Sequence, residues 1–407
     1  MRNIKSIDRY VNNIVDNDNL HDEIIVEHRH NNPKRDFLFV NKIQGRHVPC
    51  KASSMIHMCD KLAEKINAGL RKRKDYKDLK ILVVCFPEAA TAIGRITGDK
   101  VDKAEYILQA TREKVADTKE LLSFEEQHRP DATERILKLK DGDFDFDDYN
   151  YILFIEDEIS TGNTILNFIN EFEEKYNLDE KRLKKRNIHY GVATVCNWQN
   201  ATMKATFEVA GIDNFSLITG EIDNIGVKML DGTGVEISNV ENDYVQRIHE
   251  DTQLNLADDS IFKENRTGHK VNRTENNKEL QKKIKEVADR VSKEYSSVRV
   301  IGTEECTEIP IKIAKALEDK GLDAVCQSTT RSKLDILKGS TIGLTERYGV
   351  PSAYNANRNC YIYNLSDKNY ECTLLVTDST NGNQVLALYN SLYSILGDNS
   401  HLEPVTL

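Results

Sequence analysis

An apolar run that stops at acids and then turns through small hydroxyl residues into a helical pattern constrains this chain more than any other feature. Residues 151–155 read Tyr-Ile-Leu-Phe-Ile, the composition of a strand buried on both faces of a parallel sheet. The run ends at Glu156, Asp157 and Glu158, and Ser160, Thr161, Gly162, Asn163 and Thr164 follow. Ile165, Leu166, Phe168, Ile169 and Phe172 then recur at helical spacing. A strand, loop and helix of this kind can hold a sugar phosphate. Loop amides and the helix N-terminus take the phosphate, while the carboxylates accept hydrogen bonds from sugar hydroxyls. Acids at a strand end before a capped helix also occur in response-regulator pockets and in folds that bind nucleoside triphosphates. The segment alone leaves those readings open.

At 407 residues the chain is long enough for two or three cores. Hydrophobic residues make up 39% and charged residues 30% of it, as in a soluble, highly charged globular protein. A net charge of −10 argues against a nucleic-acid-binding surface. No run approaches the length of a membrane span, and the N-terminal residues carry no secretory pattern. Neither a membrane nor a nucleic acid is expected as a partner. The eight cysteines show no close pairing, and several sit inside apolar runs, which suits reduced, buried thiols and a cytoplasmic location. His28 and His30 lie in a polar stretch without partner ligands, so a zinc site is not expected.

Read in order, residues 1–36 are polar and suggest helix and loop. Residues 37–40 and 46–49 read as short strands about a Gln44-Gly45 turn, with an amphipathic helix near 53–70. Residues 80–86 form an apolar strand that turns through Pro87, Glu88, Ala89, Ala90 and Thr91 into a helix. Another strand, 104–110, ends at Thr111 and Arg112. The stretch 113–148 is long and polar, and a long connection inside a compact domain is usually functional. Strands at 151–155, 188–195 and 215–218 complete a parallel sheet. Its βαβ units should be right-handed, with ligand at the carboxyl ends of the strands.

Residues 151–164 resemble the phosphoribosyl-pyrophosphate (PRPP) signature of type I phosphoribosyltransferases: strand, acidic pair, then a Thr/Ser-Gly-x-Thr loop. Glu156 replaces the commoner Asp, and Glu158 stands where the family usually has an apolar residue. The resemblance implies an α/β, parallel-sheet phosphoribosyltransferase fold with an N-terminal hood. Residues 87–91 take the place of the pyrophosphate loop, although a plain strand-to-helix turn reads the same. Arg112 is placed to meet diphosphate oxygens, or else is an ordinary exposed arginine. The segment 113–148 corresponds to the lid, or to a solvated loop. Residues 37–42, 124–128, 156–162 and 327–332 together look like one subfamily. These are the orotate-phosphoribosyltransferase-like proteins of tellurite-resistance-type gene clusters, which carry a C-terminal Thr-Arg-Ser-Pro (TRSP) domain. Here Lys333 replaces the proline.

The C-terminal third repeats the landmarks of the first half. Residues 298–302 lead through Glu304 into a helical pattern, as residues 81–86 lead through Glu88, 216 positions earlier. Thr330 and Arg331 follow an apolar run as Thr111 and Arg112 do, 219 apart. Asp378 lies 221 after Asp157, and Gly382 lies 220 after Gly162. Landmarks in one order at near-constant offset point to an internal repeat, a second phosphoribosyltransferase-like α/β domain. A generic likeness between βαβ units is the plainer alternative. Thr377 stands where Glu156 stands, so the copy keeps half the acidic pair. Its candidate residues are Arg331, Ser332, Asp378, Ser379, Thr380 and Gly382. The expected division is 1–228 with the lid at 113–148, a helical and polar bridge at 229–297, and the TRSP domain at 298–407.

Three functions compete. The resemblance implies a Mg2+-dependent enzyme that joins PRPP to a nucleobase-like acceptor and releases pyrophosphate, in synthesis of a nucleotide-like metabolite. In it Glu156 and Asp157 hold the ribose diol and, indirectly, Mg2+. Ser160 to Thr164 hold the 5′-phosphate, and Arg112 and residues 87–91 meet the diphosphate. The second reading is a PRPP- or nucleotide-binding regulator without turnover, and the third a nucleotide phosphorylase or hydrolase. Relatives of the orotate enzyme commonly work as dimers, which implies a homodimer or a pseudodimer within one chain.

Overall fold

The computed structural model describes residues 5–29, 37–115, 117–125, 133–140, 144–222, 266–271, 275–337, 342–397 and 400–405. Residues 229–265 of the expected bridge and residues 126–132 in the middle of segment 113–148 lie outside them. The chain runs β1 (Val11–Asp16), β2 (Ile24–Arg29), β3 (Phe37–Asn41), α1 (Ala52–Leu70), β4 (Ile81–Cys85), α2 (Thr91–Gly98) and β5 (Ala104–Thr111). Next come β6 (Thr118–Glu125), β7 (Thr133–Leu139), β8 (Tyr151–Ile159), α3 (Asn163–Lys175), α4 (Glu180–Arg186), β9 (His189–Asn197), α5 (Ala201–Val209) and β10 (Ile212–Ile222). Beyond residue 265 lie β11 (Gly268–Lys270), α6 (Glu275–Val291), β12 (Ser297–Gly302), α7 (Glu308–Asp319) and β13 (Asp323–Ser328). β14 (Leu334–Asp335), β15 (Arg347–Pro351), β16 (Asn359–Tyr363), β17 (Cys372–Val376), α8 (Gly382–Leu396) and β18 (His401–Val405) follow.

The fold is α/β with a mostly parallel central sheet, ordered β1-β10-β9-β8-β4-β5-β7-β6, with β11 also on β5. β10, β9, β8, β4 and β5 are mutually parallel. Every residue of β4 is buried, as a strand covered on both faces requires. A second sheet, β13-β12-β17-β18, is parallel throughout. On the first sheet, one face carries an aromatic core that includes Phe86, Phe154, Phe168 and Phe172. The other face shares a continuous core with α1, α6, α7 and the second sheet. Met55, Cys59, Leu62 and Ile66 put one stripe of α1 into that core, each at 0% exposure. Full burial of a leucine such as Leu62 contributes about 2 kcal/mol. Close approach also matters: a Cβ at Gly94 would lie 2.5 Å from Cys85 Sγ, so glycine lets α2 press on β4 and fixes the turn between them. Among the described residues no helix is long and apolar enough to cross a membrane.

Several local expectations are corrected. The described part of residues 1–36 holds only two short 3-10 turns, Ile7–Arg9 and His21–Glu23, and is otherwise shaped by β1 and β2, because β1 pairs antiparallel with β10 and β2 with β3. Long-range partners supply what the polar local sequence hides. Residues 46–49 form no strand and run irregularly toward α1. The segment 113–148 is no structureless connection: β6 and β7 form a hairpin on the edge of β5. Leu121, Leu122, Phe124 and Ile136 anchor it in the aromatic core. Within the bridge expected at 229–297, α6 supplies the helical part from Glu275 to Val291.

Candidate active site

At the carboxyl ends of β4 and β8 lies a cavity of about 540 Å³, roofed by residues of β3 and the irregular stretch after it. Pro87, Glu88, Ala89, Arg112, Glu156, Asp157 and residues 160–164 all line it. Residues set apart by up to 77 positions thus converge because β5, β4 and β8 are neighbours. Ala90 and Thr91 do not line the cavity. They are buried, and Thr91 begins α2 and accepts a hydrogen bond from Gln109 Nε2 at 3.4 Å.

The floor of the cavity is the acidic strand end and the loop after it. Gly162 takes φ 83° as the N-cap of α3, a left-handed conformation that favours glycine. A Cβ there would also meet the Phe207 ring at 2.5 Å. The N-cap glycine offers no side chain to this helix, so the amides after Asn163 are left for a cavity that suits an anion. Asn163 N donates to Thr161 Oγ1 at 3.3 Å, which tightens the turn. Burial, and then the charge of Asp157, push the Glu156 carboxyl well above its ordinary range. Glu156 therefore takes up a proton easily, and its carboxyl suits hydroxyl groups that can both donate and accept.

The wall opposite is built on Glu88, whose φ of 64° is left-handed, a strained state for a non-glycine residue. Its Oε1 accepts from Arg46 Nη2 at 2.8 Å, Thr330 Oγ1 at 2.8 Å and the Arg331 amide at 3.0 Å. Its Oε2 accepts from Arg112 Nη1 at 3.0 Å. Burial acts to raise its pKa, but Arg46, Arg112 and Arg331 outweigh that and hold the carboxyl well below its ordinary range. Arg112 also donates from Nη2 to Glu134 Oε1 at 2.9 Å. The two-pronged grip expected of Arg112 on a ligand is here directed at Glu88 and Glu134. Gln44 Nε2 donates to Ala89 O at 2.7 Å, so the roof clamps the same loop. His47, also in the roof, is held well below its ordinary pKa by burial and then by Arg46, which leaves its imidazole neutral.

Of the C-terminal candidates, Ser332 lines the cavity. Arg331 points elsewhere, donating from Nε to Glu304 Oε2 at 2.7 Å and pairing with Glu113. Asp378, Ser379, Thr380 and Gly382 stand apart at the end of β17. Asp378 pairs there with Arg266, from Nη2 at 2.8 Å and from Nε, and it accepts from the Tyr354 hydroxyl. Sequence reasoning missed Arg46, Glu134, Thr330 and Arg266. The recurrence of Thr-Arg at 111–112 and 330–331 was the available signal for Thr330. Among the described residues no three His, Cys, Asp or Glu side chains gather into a metal site.

Residues 26–221 match the model of a phosphoribosyl transferase family. Residues 265–396 match that of the TRSP domain found C-terminal to such a transferase. No curated protein matches the chain. Among solved structures, adenine phosphoribosyltransferase from Rhodothermus marinus is 12% identical, with 49% of this chain and 96% of that one covered at a TM-score of 0.32. The Trypanosoma brucei enzyme, in complex with AMP, pyrophosphate and ribose-5-phosphate, is 11% identical over 48% of this chain and 76% of its own, at 0.31. The Giardia lamblia enzyme, complexed with 9-deazaadenine, is 14% identical over 48% and 94%, also at 0.31.

Proposed function

For a chain whose residues 26–221 fall in the phosphoribosyl transferase family, we propose transfer of the 5-phosphoribosyl group of PRPP to a nucleobase-like acceptor, with release of pyrophosphate. One observation carries the reading. A single cavity joins a helix N-terminus entered through glycine, two adjacent acids and a loop backed by arginines. Those three features suit, in turn, the 5′-phosphate, the ribose hydroxyls and the diphosphate. In the reaction the bond from ribose C1 to the diphosphate oxygen breaks, and a bond from C1 to an acceptor nitrogen forms. The acceptor's N–H proton leaves to solvent, and the electron pair departs with pyrophosphate.

Residues 160–164 anchor the phosphate, and Glu156 and Asp157 orient the diol and offset the positive charge that develops on the ribose ring as the diphosphate departs. Arg46 and Arg112, fixed by Glu88, present positive potential to the leaving group. The roof contributes Leu38, Phe39 and neutral His47 to the cavity wall beside Gln44 and Arg46, an apolar face with polar neighbours for a planar acceptor. The hairpin β6–β7 is the proposed lid, and its Glu134 already reaches the cavity. Glu156 and Asp157 are the protein groups that would hold a Mg2+ ion, and two adjacent carboxylates suit an ion that would take its remaining oxygens from substrate and water. Such an ion neutralises diphosphate charge when bound. The orotate-like subfamily and a role in making a nucleotide-like metabolite belong to this proposal, supported by the TRSP match.

Calorimetric titration of PRPP with Mg2+ tests the assignment. Asp157→Asn removes a charge-assisted acceptor, and affinity should fall by roughly tenfold to a hundredfold. An unchanged titration in that variant overturns the site.

A further inference from the structure

Two parts of this chain meet through contacts that cross. In the first sheet the order β9-β8-β4-β5 places four parallel strands side by side, and in the second β18-β17-β12-β13 does the same. Glu88 follows β4 with φ 64°, and Glu304 follows β12 with φ 46°. Arg112 donates to Glu88 at 3.0 Å, as Arg331 donates to Glu304 at 2.7 Å. Each Thr-Arg pair then reaches the other half. Thr330 Oγ1 and the Arg331 amide donate to Glu88, at 2.8 and 3.0 Å. Thr111 Oγ1 and the Arg112 amide donate to Glu305, the neighbour of Glu304, at 2.6 and 3.0 Å. Helices α2 and α7, which follow the two loops, are joined by the buried pair Arg95–Glu308. Reciprocal contact of equivalent residues is the mark of a two-fold interface.

We propose that the chain is a fused pseudodimer with one working site, in which Thr330 and Ser332 of the C-terminal half are positioning residues for the diphosphate end of the N-terminal site. The proposal rests on the phosphoribosyl-transfer reading above. The two halves differ where chemistry is needed. In the C-terminal half Thr377 replaces the first acid. The remaining acid, Asp378, is held by Arg266 and Tyr354, and Ser379 Oγ turns to Ala353 O. Protein groups thus satisfy the positions that a sugar phosphate would use. In the N-terminal half the equivalent positions line an open cavity.

Help therefore runs from the second half to the first, and Thr330 Oγ1 is its hub. It donates to Glu88 and accepts from Arg46 Nη2 at 3.0 Å and from the Ser332 amide at 3.1 Å. Arg46 Nη2 also lies 3.3 Å from Ser332 Oγ. Glu88 in turn holds the guanidinium groups of Arg46 and Arg112 at the cavity wall. Thr330 is fully buried and acts through these groups, while the Ser332 side chain borders the cavity itself.

The test is titration of PRPP, pyrophosphate and ribose-5-phosphate, each with Mg2+, into wild type, Thr330→Val, Thr330→Ser, Ser332→Ala and Asp157→Asn. Loss of the hydroxyl hub in Thr330→Val should weaken PRPP and pyrophosphate about tenfold and ribose-5-phosphate by less than about twofold. Thr330→Ser, which keeps the oxygen, should restore most of the loss. Should Thr330→Val not fold, Ser332→Ala leaves the Glu88 contacts intact and should still weaken pyrophosphate about threefold. Wild-type affinity for pyrophosphate in every Thr330 and Ser332 variant that folds overturns the positioning role alone, provided Asp157→Asn weakens PRPP. An equal loss for all three ligands also overturns it, since that marks a merely structural effect. Wild-type protein that binds none of the three overturns the functional reading, and the positioning role with it.

Discussion

Glu88→Gln takes away a buried negative charge that faces the guanidinium groups of Arg46 and Arg112. The amide oxygen can still accept from Arg46, Thr330 and the Arg331 amide, the three donors now on Oε1. The amide nitrogen, however, meets Arg112 Nη1 where Oε2 accepted at 3.0 Å, donor against donor. Glu134 still accepts from Arg112, so that cation keeps one partner, but Arg46 loses its carboxylate. Removing one member of a buried charge cluster costs about 3–5 kcal/mol. One core runs through both sheets, so heating should unfold them together. The loss should then appear as a fall of roughly 4–6 °C in the calorimetric midpoint. The acid side carries the same signature. The Glu88 carboxyl is held well below its ordinary 4.5 in the folded chain. Its contribution is therefore present above that value and lost as pH falls through the folded pKa. Wild type and variant should differ at pH 7 and converge as the solution becomes strongly acidic. A midpoint within about 1 °C of wild type at pH 7 refutes the view that Glu88 ties the loop to the arginines and the second half.

Glu27 gives the opposite pH dependence: burial pushes its carboxyl up to about 7 against the pull of Lys5. The folded chain binds the extra proton between 4.5 and 7, so stability should fall by on the order of 3 kcal/mol as pH rises through that window. Glu27→Gln should flatten urea midpoints measured from pH 5 to 8, and an unaltered slope would count against it. The hairpin over the cavity is anchored by Phe124, whose ring lies 5.1 Å from that of Phe168. Phe124→Ala should cost about 3–5 kcal/mol and speed hydrogen exchange in β6 and β7 ahead of β4. Unchanged protection there would show that the anchor does not hold the hairpin.

The parts of the fold legible in sequence are those whose strands are buried on both faces. Residues 81–85 and 151–155 announce themselves as apolar runs because no face of them meets water. β1 escapes a local reading because an edge strand needs only one apolar face, and Asn12 and Asn13 hide the alternation. β2 escapes it because its apolar run is only Ile24 to Val26, among polar neighbours, and long-range partners bury it. The hairpin was misread as polar linker because its charged residues outnumber Leu121, Leu122 and Phe124 along the chain, although those three fix its place. At the site, the acid pair and the phosphate loop are contiguous and so readable. The partners of Glu88 come from residues 46, 112, 330 and 331, and only the folded sheets bring them together. The repeated Thr-Arg was visible, but its reciprocal grip on the opposite half is a long-range contact with no local trace.

Turnover decides the central claim. Wild-type protein should be incubated with PRPP, Mg2+ and a panel of purine, pyrimidine and pyridine bases, and pyrophosphate release followed. Release should depend on one class of base and fall by roughly a hundredfold or more in Asp157→Asn, as loss of a group that acts in the transition state requires. PRPP that binds but stays intact with every base, or that is consumed equally without one, contradicts phosphoribosyl transfer to a base.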